Sequence, residues 1–126
     1  MKSFLITLVL AAVMVMSGIF CSSYIDRVAG ELSERNQTIT ELIRHADYSA
    51  ATEQAEMLSE EIEKKKIILA ITLDHTELDK IETNLAELLS YSKDRQAYDA
   101  AAKCQTLHFL FQHLPKNYQL KWENIL

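Results

Sequence analysis

The first 20 residues, MKSFLITLVLAAVMVMSGIF (residues 1–20), decide the fold because they place the rest of the chain beside a membrane. No charged residue lies between Ser3 and Phe20. At about 1.5 Å of rise per residue, a helix over these positions is roughly 27 Å long, close to the hydrocarbon thickness of a bilayer. The pattern predicts an N-terminal membrane anchor, residues 1–21, that contacts lipid through residues 3–20, and a separate domain, residues 22–126.

A cleaved signal peptide is the alternative to an anchor, because Lys2 gives a positive start and the apolar run is only slightly longer than a typical signal. No pair of small residues of the A-x-A type closes the run, and Cys21-Ser22-Ser23 is the nearest approach to one. A lipoprotein signal needs a small residue before its cysteine, whereas Phe20 precedes Cys21. The sequence therefore favours an uncleaved anchor over cleavage and over acylation.

The charges that flank the apolar run predict its orientation. Lys2 and the terminal amine precede the run, whereas Asp26, Arg27 and Glu31 after it are net negative. The positive-inside rule then places the N-terminus in the cytoplasm and the following domain outside, as a single-pass membrane protein. All 18 Asp and Glu residues and 12 of the 13 Lys and Arg residues follow Cys21, so the domain is acidic. Bulk charge therefore excludes nucleic acid and anionic lipid head groups as partners.

The composition predicts an all-α fold. Two glycines and one proline in 126 residues leave few turns, and the remaining sequence is rich in helix-forming residues. About 105 residues after the anchor suffice for one domain. Cys21 and Cys104 are a poor disulfide pair, and we expect no disulfide. The predicted fold is a transmembrane helix that continues into an antiparallel bundle of about four helices.

Apolar residues recur at helical spacing in four segments, which are predicted to be helices over about 24–45, 47–73, 74–91 and 94–114. Short turns between them predict antiparallel neighbours, and Pro115 is predicted to follow the last helix. The predicted inward positions are Ile25, Val28, Leu32, Ile39, Leu42, Ile43 and Ala46 in the first segment; Ala51, Ala55, Leu58, Ile62, Leu69 and Leu73 in the second; Leu78, Ile81, Leu85, Leu88 and Leu89 in the third; and Ala97, Ala101, Cys104, His108 and Phe111 in the fourth. In the fourth segment, Leu107, Leu110 and Leu114 are predicted to widen the inward face toward a second neighbouring helix.

Three aspartates are predicted to cap helices: Asp47, Asp74 and Asp94. At the second of them, Glu77 stands three residues on, which is the spacing of a capping box, and Leu73 with Leu78 has the spacing of a hydrophobic staple. Asp47 and Asp94 are 47 residues apart, as equivalent residues of an internal duplication would be. Their shared role as helix caps explains the match without a duplication.

One cluster could carry chemistry. Asp74, His75, Glu77 and Asp79 lie within six residues and have side chains that bind cations or transfer protons. The capping box already explains Asp74 and Glu77, and a surface histidine explains His75. Cys104 and His108 stand one helical turn apart, as two metal ligands would, but the sequence favours a buried cysteine beside a hydrogen-bonded histidine over a metal site.

Two apolar stretches predict contact surfaces. Residues 67–73 are apolar on every side except Thr72, so they form either the most buried part of the domain or a surface that another protein covers. Ile68 is the candidate contact residue of this stretch. The tail after Pro115 contains Trp122 among other apolar residues and is predicted to pack back on the bundle.

The sequence resembles the domain-of-unknown-function family numbered 4363. The residues that carry the resemblance are the anchored start, Leu73-Asp74-His75-Thr76-Glu77-Leu78-Asp79-Lys80-Ile81-Glu82, Leu85-Ala86-Glu87-Leu88, Leu107-His108-Phe109-Leu110, His113-Leu114-Pro115 and Asn124-Ile125-Leu126. The resemblance implies a small single-anchor protein at the surface of a bacterial cell. It implies no activity, cofactor or catalytic residue.

Two functions are compatible with these features. The first is a membrane-tethered helical module that docks another membrane or envelope protein through the region of Ile68 or Trp122. The second is a sensor of a small ligand or cation at Asp74, His75, Glu77 and Asp79. No nucleophile triad, phosphate-binding loop or carboxylate pair is recognisable, so we expect no enzymatic activity, no cofactor and no bound metal. A homodimer through the first amphipathic helix is an alternative partnership.

Overall fold

The computed structural model is all-α, which confirms the predicted class. It describes the backbone of residues 1–125 and the side chains of residues 1–116. Five helices follow one another: α1 (Lys2–Arg44), α2 (Tyr48–Lys64), α3 (Lys66–Thr72), α4 (His75–Lys93) and α5 (Ala97–Ile125).

Helix α1 contains both the apolar run and the first wall of the domain. Its 43 residues make it about 64 Å long at 1.5 Å per residue, and neither Gly18 nor Gly30 interrupts it. None of the 18-residue apolar window is buried, and this helix is long and apolar enough to cross a membrane. Burial in α1 begins at Ile25 and continues to Ile43. One helix therefore crosses the predicted boundary between anchor and domain.

The second half of α1 packs with α2, α4 and α5 into a bundle. α1 and α4 each contact both α2 and α5. The order of ion pairs gives the direction of α2: Glu31 bonds Lys65 and Arg35 bonds Glu61, so α2 runs antiparallel to α1. Lys66 bonds Glu82 and Thr52 bonds Ser92, so α4 runs antiparallel to α2. The short turn before α5 reverses the direction again.

The core is a single apolar cluster that extends along the whole bundle. Each of the predicted inward positions of α2, α3 and the first half of α4 is buried. The largest fully buried side chains come from all five helices: Ile25, Leu32 and Ile39 in α1, Leu58 in α2, Leu69 in α3, Ile81 and Leu88 in α4, and Leu107, Phe111 and Leu114 in α5.

Both hairpin turns close with the same hydrogen-bond pattern although neither contains glycine. Ala46 (φ 59°) and Arg95 (φ 55°) adopt the left-handed conformation just past the ends of α1 and α4. In the first turn the N–H of Asp47 donates to Leu42 O (2.9 Å), and in the second the N–H of Gln96 donates to Tyr91 O (2.9 Å). This is the Schellman arrangement, in which the turn satisfies the last carbonyls of the helix.

The two hairpins are related by an offset of 49 residues, not the 47 that the aspartates suggest. Ala46 corresponds to Arg95, and the buried residues after each turn fall at matching positions. They are Ala51, Ala55, Leu58 and Ile62 in α2, and Ala100, Cys104, Leu107 and Phe111 in α5. The equivalence is visible only in the burial pattern, because the residue types differ.

Four sequence-based predictions of helix ends and turn residues are wrong. The helix predicted over 47–73 is divided at Lys65, where the apolar stripe has lysines at positions 65 and 66 in place of a buried residue. Asp94 ends α4 rather than capping α5, which begins at Ala97. α5 also continues through Pro115, although the proline removes one backbone donor and its ring crowds the preceding turn. Ala46, predicted to face inward, is exposed in the turn.

The left-handed turn residue gives a prediction about stability. Ala46→Gly should raise the free energy of unfolding by about 1 kcal/mol, because a Cβ atom disfavours positive φ and glycine does not. Ala86→Gly is the matched control: Ala86 is exposed within α4, and the change should lower stability by about 1 kcal/mol. Urea unfolding of the fragment 22–126, which keeps every buried core residue, measures both. A loss of stability in Ala46→Gly would contradict the turn geometry.

Candidate functional site

The predicted capping box at the start of α4 does not form. Asp74 is the N-cap residue, but its side chain accepts no capping hydrogen bond. Instead its backbone oxygen accepts from the N–H groups of Glu77 (3.1 Å) and Leu78 (3.2 Å). Leu73 and Leu78 are both buried, in agreement with the predicted staple. The packing of Leu73 and Leu78 therefore positions this turn without a hydrogen bond to the Asp74 carboxylate.

The four residues proposed as a cation or ligand site remain separate. Asp74, His75 and Asp79 are exposed, and Glu77 is half-buried with its carboxylate 3.8 Å from Lys80 Nζ. Within the part of the chain that the structure describes, no three His, Cys, Asp or Glu side chains are grouped as metal ligands would be.

Helix α3 exposes a compact apolar surface. Ile67, Ile68 and Ile71 are 77%, 46% and 73% exposed, whereas Leu69 and Leu73 are buried. At 3.6 residues per turn the three isoleucines fall within an arc of about 100°. We call them the isoleucine face. The stretch 67–73 is thus neither wholly buried nor wholly surface: one side is core and the other faces outward.

The isoleucine face lies at the end of the bundle where α1 enters from its apolar run. α2 runs toward this end, α3 follows it, and α4 leaves in the opposite direction. Cys21 and Tyr24, the first residues of α1 in contact with the core, are at the same end. We call this the anchor-proximal end.

The lysines that precede α3 differ in their surroundings. Lys65 Nζ lies 2.9 Å from Glu61 and 3.3 Å from Glu31, and Arg35 also bonds Glu61. Partial burial disfavours the charged Lys65 ammonium, but its hydrogen bonds to Glu61 and Glu31 outweigh that effect and raise its pKa. This network joins α1 to α2 beside the isoleucine face. Lys64 is exposed.

The inward face of α5 is rotated from the predicted one. Ala100, Cys104, Leu107, Phe111 and Leu114 are buried, whereas Ala101 and His108 are exposed. The predicted pairing of Cys104 with a core histidine is therefore wrong. Leu107, Leu110 and Leu114, which were predicted to widen this face toward a second neighbour, are buried as predicted, because α5 packs against both α1 and α4.

Two aromatic residues on the outer side of α5 are candidate contact residues that the sequence analysis missed. Tyr98 is 93% exposed and Phe109 is 59% exposed. They stand 11 residues apart, which is three helical turns, so they share one side of α5. Phe109 stacks on His113 with ring centroids 4.0 Å apart. The side chain of Trp122, the other predicted contact residue, lies outside the described residues.

One polar contact crosses the core. Asn36 of α1 is 1% exposed, and its Nδ2 donates to the backbone oxygen of Cys104 in α5 (2.8 Å), whereas its Oδ1 has no partner. Thr40, one turn further, bonds the backbone oxygen of Asn36 (2.9 Å). The burial of Asn36 also makes its Asn-x-Thr sequence unsuitable for glycosylation, which requires an accessible side chain.

Comparison with known proteins identifies a family. The family model described as "Domain of unknown function (DUF4363)" matches residues 19–125, which confirms the resemblance. A search of curated proteins found no match, and neither did a search of solved structures.

The buried asparagine gives a second prediction. Asn36→Asp should destabilise the bundle by about 3 kcal/mol at pH 7, because a carboxylate replaces the donor to Cys104 O in a dry environment. Burial raises the pKa of the new carboxyl in the folded state, so the loss should shrink as the pH falls toward about 4. Asn84→Asp is the control: Asn84 makes a similar bond to Lys80 O at the surface, and the change should stay under about 1 kcal/mol. Equal losses in the two variants of fragment 22–126 would contradict the role of Asn36.

The core cysteine gives a third prediction. Burial raises the pKa of the Cys104 thiol above 9.0, and a hydrogen bond with Thr40 opposes only part of that effect. In fragment 22–126, where Cys104 is the sole cysteine, a thiol reagent should react slowly in the folded state and rapidly in urea. The folded pKa exceeds the unfolded one, so this thiol should favour folding below pH 9 and lose that effect as the pH rises further. Rapid labelling of the folded fragment at pH 8 would contradict its burial.

Proposed function

The chain belongs to the DUF4363 family, whose function is unknown, and we propose that it is a membrane-tethered helical module that acts by binding another protein rather than by catalysis. The observation that carries the proposal is that the single helix α1 contains the apolar run and also forms one wall of the bundle.

The exposure of the apolar run supports insertion in a membrane. The side chains of Ile6, Leu10, Val13 and Phe20 are each more than half exposed, and none contacts the bundle core. Transferring such a run from water into hydrocarbon is strongly favourable, at about 25 cal/mol for each Å² of apolar surface. The absence of an A-x-A pair at the end of the run supports an anchor that is retained rather than cleaved.

The charge distribution supports an orientation with the N-terminus in the cytoplasm and the bundle outside the cell. Lys2 precedes the span, and the residues that follow it are net negative. In this orientation the bundle would stand on the outer surface of a cell membrane, where a protein of the membrane or envelope is the available partner.

The outer side of α5 is the surface that we assign to this partner. Tyr98 and Phe109 are large, exposed and on one side of a helix whose other side is held in the core. Aromatic residues of this kind contribute a large share of the binding energy at protein interfaces. The acidic charge of the bundle disfavours nucleic acid as the partner.

Site-specific cross-linking in native membranes tests the proposal. A photoreactive phenylalanine analogue at position 109 of the full-length chain should yield one discrete adduct with a second protein, because Phe109 is predicted to lie in the contact. The same analogue at Thr83, an exposed position of α4, is the control and should yield little. Mass spectrometry then identifies the adduct.

Three results would contradict the proposal. Recovery of the chain in the soluble fraction would contradict the tether. Equal yields at positions 109 and 83, or no adduct, would contradict the assigned surface. An adduct of twice the chain's own mass would replace the second protein with a second copy, the alternative of a homodimer.

A further inference from the structure

The isoleucine face is an apolar surface for which the bundle itself provides no cover. Among residues 21–116, Ile67 and Ile71 are the most exposed isoleucines, and Ile68 lies beside them. Single exposed apolar residues are common on protein surfaces, but a group of three on a seven-residue helix indicates a contact. The position of the isoleucine face in the fold indicates which surface it contacts.

The continuity of α1 determines the height of the bundle above the apolar run. Phe20 ends that run, Cys21 already packs against the core, and Ile25 is fully buried. Five residues of helix between Phe20 and Ile25 correspond to about 7.5 Å. The headgroup layer on each side of a bilayer is about 5–7 Å thick. A span that ends at Phe20 therefore places the anchor-proximal end of the bundle at the headgroup layer, with no flexible linker between them.

α3 is the element that this arrangement brings nearest to the lipid. α2 descends toward the anchor-proximal end, since Arg35 bonds Glu61 and then Glu31 bonds Lys65 nearer the span. α3 comes next in the chain, and α4 then returns toward the far end. The isoleucine face thus lies on the connection at the base of the bundle.

The residues around the isoleucines suit a lipid interface. α3 contains no acidic residue. Lys64 is exposed and stands one turn before Ile67 and Ile68, where its long stem can lie along apolar surface while the ammonium remains at the level of the head groups. Interfacial helices combine apolar residues on one side with flanking lysines in this way.

We propose that the isoleucine face inserts into the headgroup region of the same bilayer that α1 spans, an inference that rests on the membrane tether proposed above. The apolar side chains supply the attraction, so neutral lipid suffices and the acidic charge of the bundle does not oppose it. The domain then contacts the membrane at two places, α1 and α3. Two contacts restrict the tilt of the bundle relative to the membrane plane and so hold the outer side of α5 at a constant inclination to the bilayer.

Spin-label accessibility in bilayers of neutral phosphatidylcholine tests this inference on the full chain. Single labels are placed by Val9→Cys in the span, Ile71→Cys in the isoleucine face and Ser90→Cys on the exposed far half of α4, each with Cys21→Ser. Cys104 stays unlabelled because it is buried. Collisions with oxygen, which partitions into lipid, are compared with collisions with a water-soluble nickel complex.

The expected result is an oxygen-to-nickel ratio that is several-fold higher at position 71 than at position 90, and highest at position 9. Ile67→Cys, four residues and about 6 Å farther from the span than Ile71, should give a ratio between those at positions 71 and 90. A lipid-like ratio at position 9 with a water-like ratio at positions 67 and 71 would overturn the inference and leave the tether intact. The face would then be available to a protein instead. A water-like ratio at position 9 would overturn the tether and the inference together.

Discussion

The structure depends on the continuity of α1. One helix, Lys2–Arg44, contains an exposed apolar run and then becomes a wall of the core from Ile25 onward. Because Cys21 and Tyr24 pack against that core, the transition from exposed apolar helix to packed helix takes about one turn. The distance of every other helix from the apolar run is set by its contacts with α1 or with a helix that contacts α1.

Polar contacts complement the apolar core by joining α1 to its two neighbours. The buried Asn36 bonds the backbone of α5, and Lys65 and Arg35 connect α1 to α2 through Glu31 and Glu61. Apolar packing tolerates small displacements along a helix, whereas a buried amide that must reach one carbonyl does not. These contacts therefore favour a single alignment of α1 with its neighbours, and they are concentrated on the one helix that also leaves the domain.

The sequence predicted the fold well where one neighbour determines which side of a helix is inward. The inward residues of α2 and the cap at Asp47, which accepts from the N–H of Ala50, follow from local spacing. Prediction was partly right where two neighbours decide and failed at the turns. On α5, which contacts both α1 and α4, the leucines that face a second neighbour were predicted correctly, whereas Ala101 and His108 are exposed. Ala46 and Arg95 adopt a glycine-like conformation that no residue type indicates. Of the candidate residues, Ile68 lies on an exposed apolar face, whereas Asp74, His75 and Asp79 are exposed without a common centre. A periodic pattern shows that residues 67–73 are apolar but not which of them the core covers.

The most direct test of this account measures α1 itself. Spin labels at Val13→Cys and Gln37→Cys in the full-length chain with Cys21→Ser, reconstituted in bilayers, report the distance between the apolar run and the bundle. A continuous helix predicts a narrow distribution centred near 36 Å, since 24 residues separate the labels at about 1.5 Å each. A broad distribution, or one centred well below that distance, would mean that the chain bends between Phe20 and the core. The bundle would then be tethered flexibly, which would contradict the account.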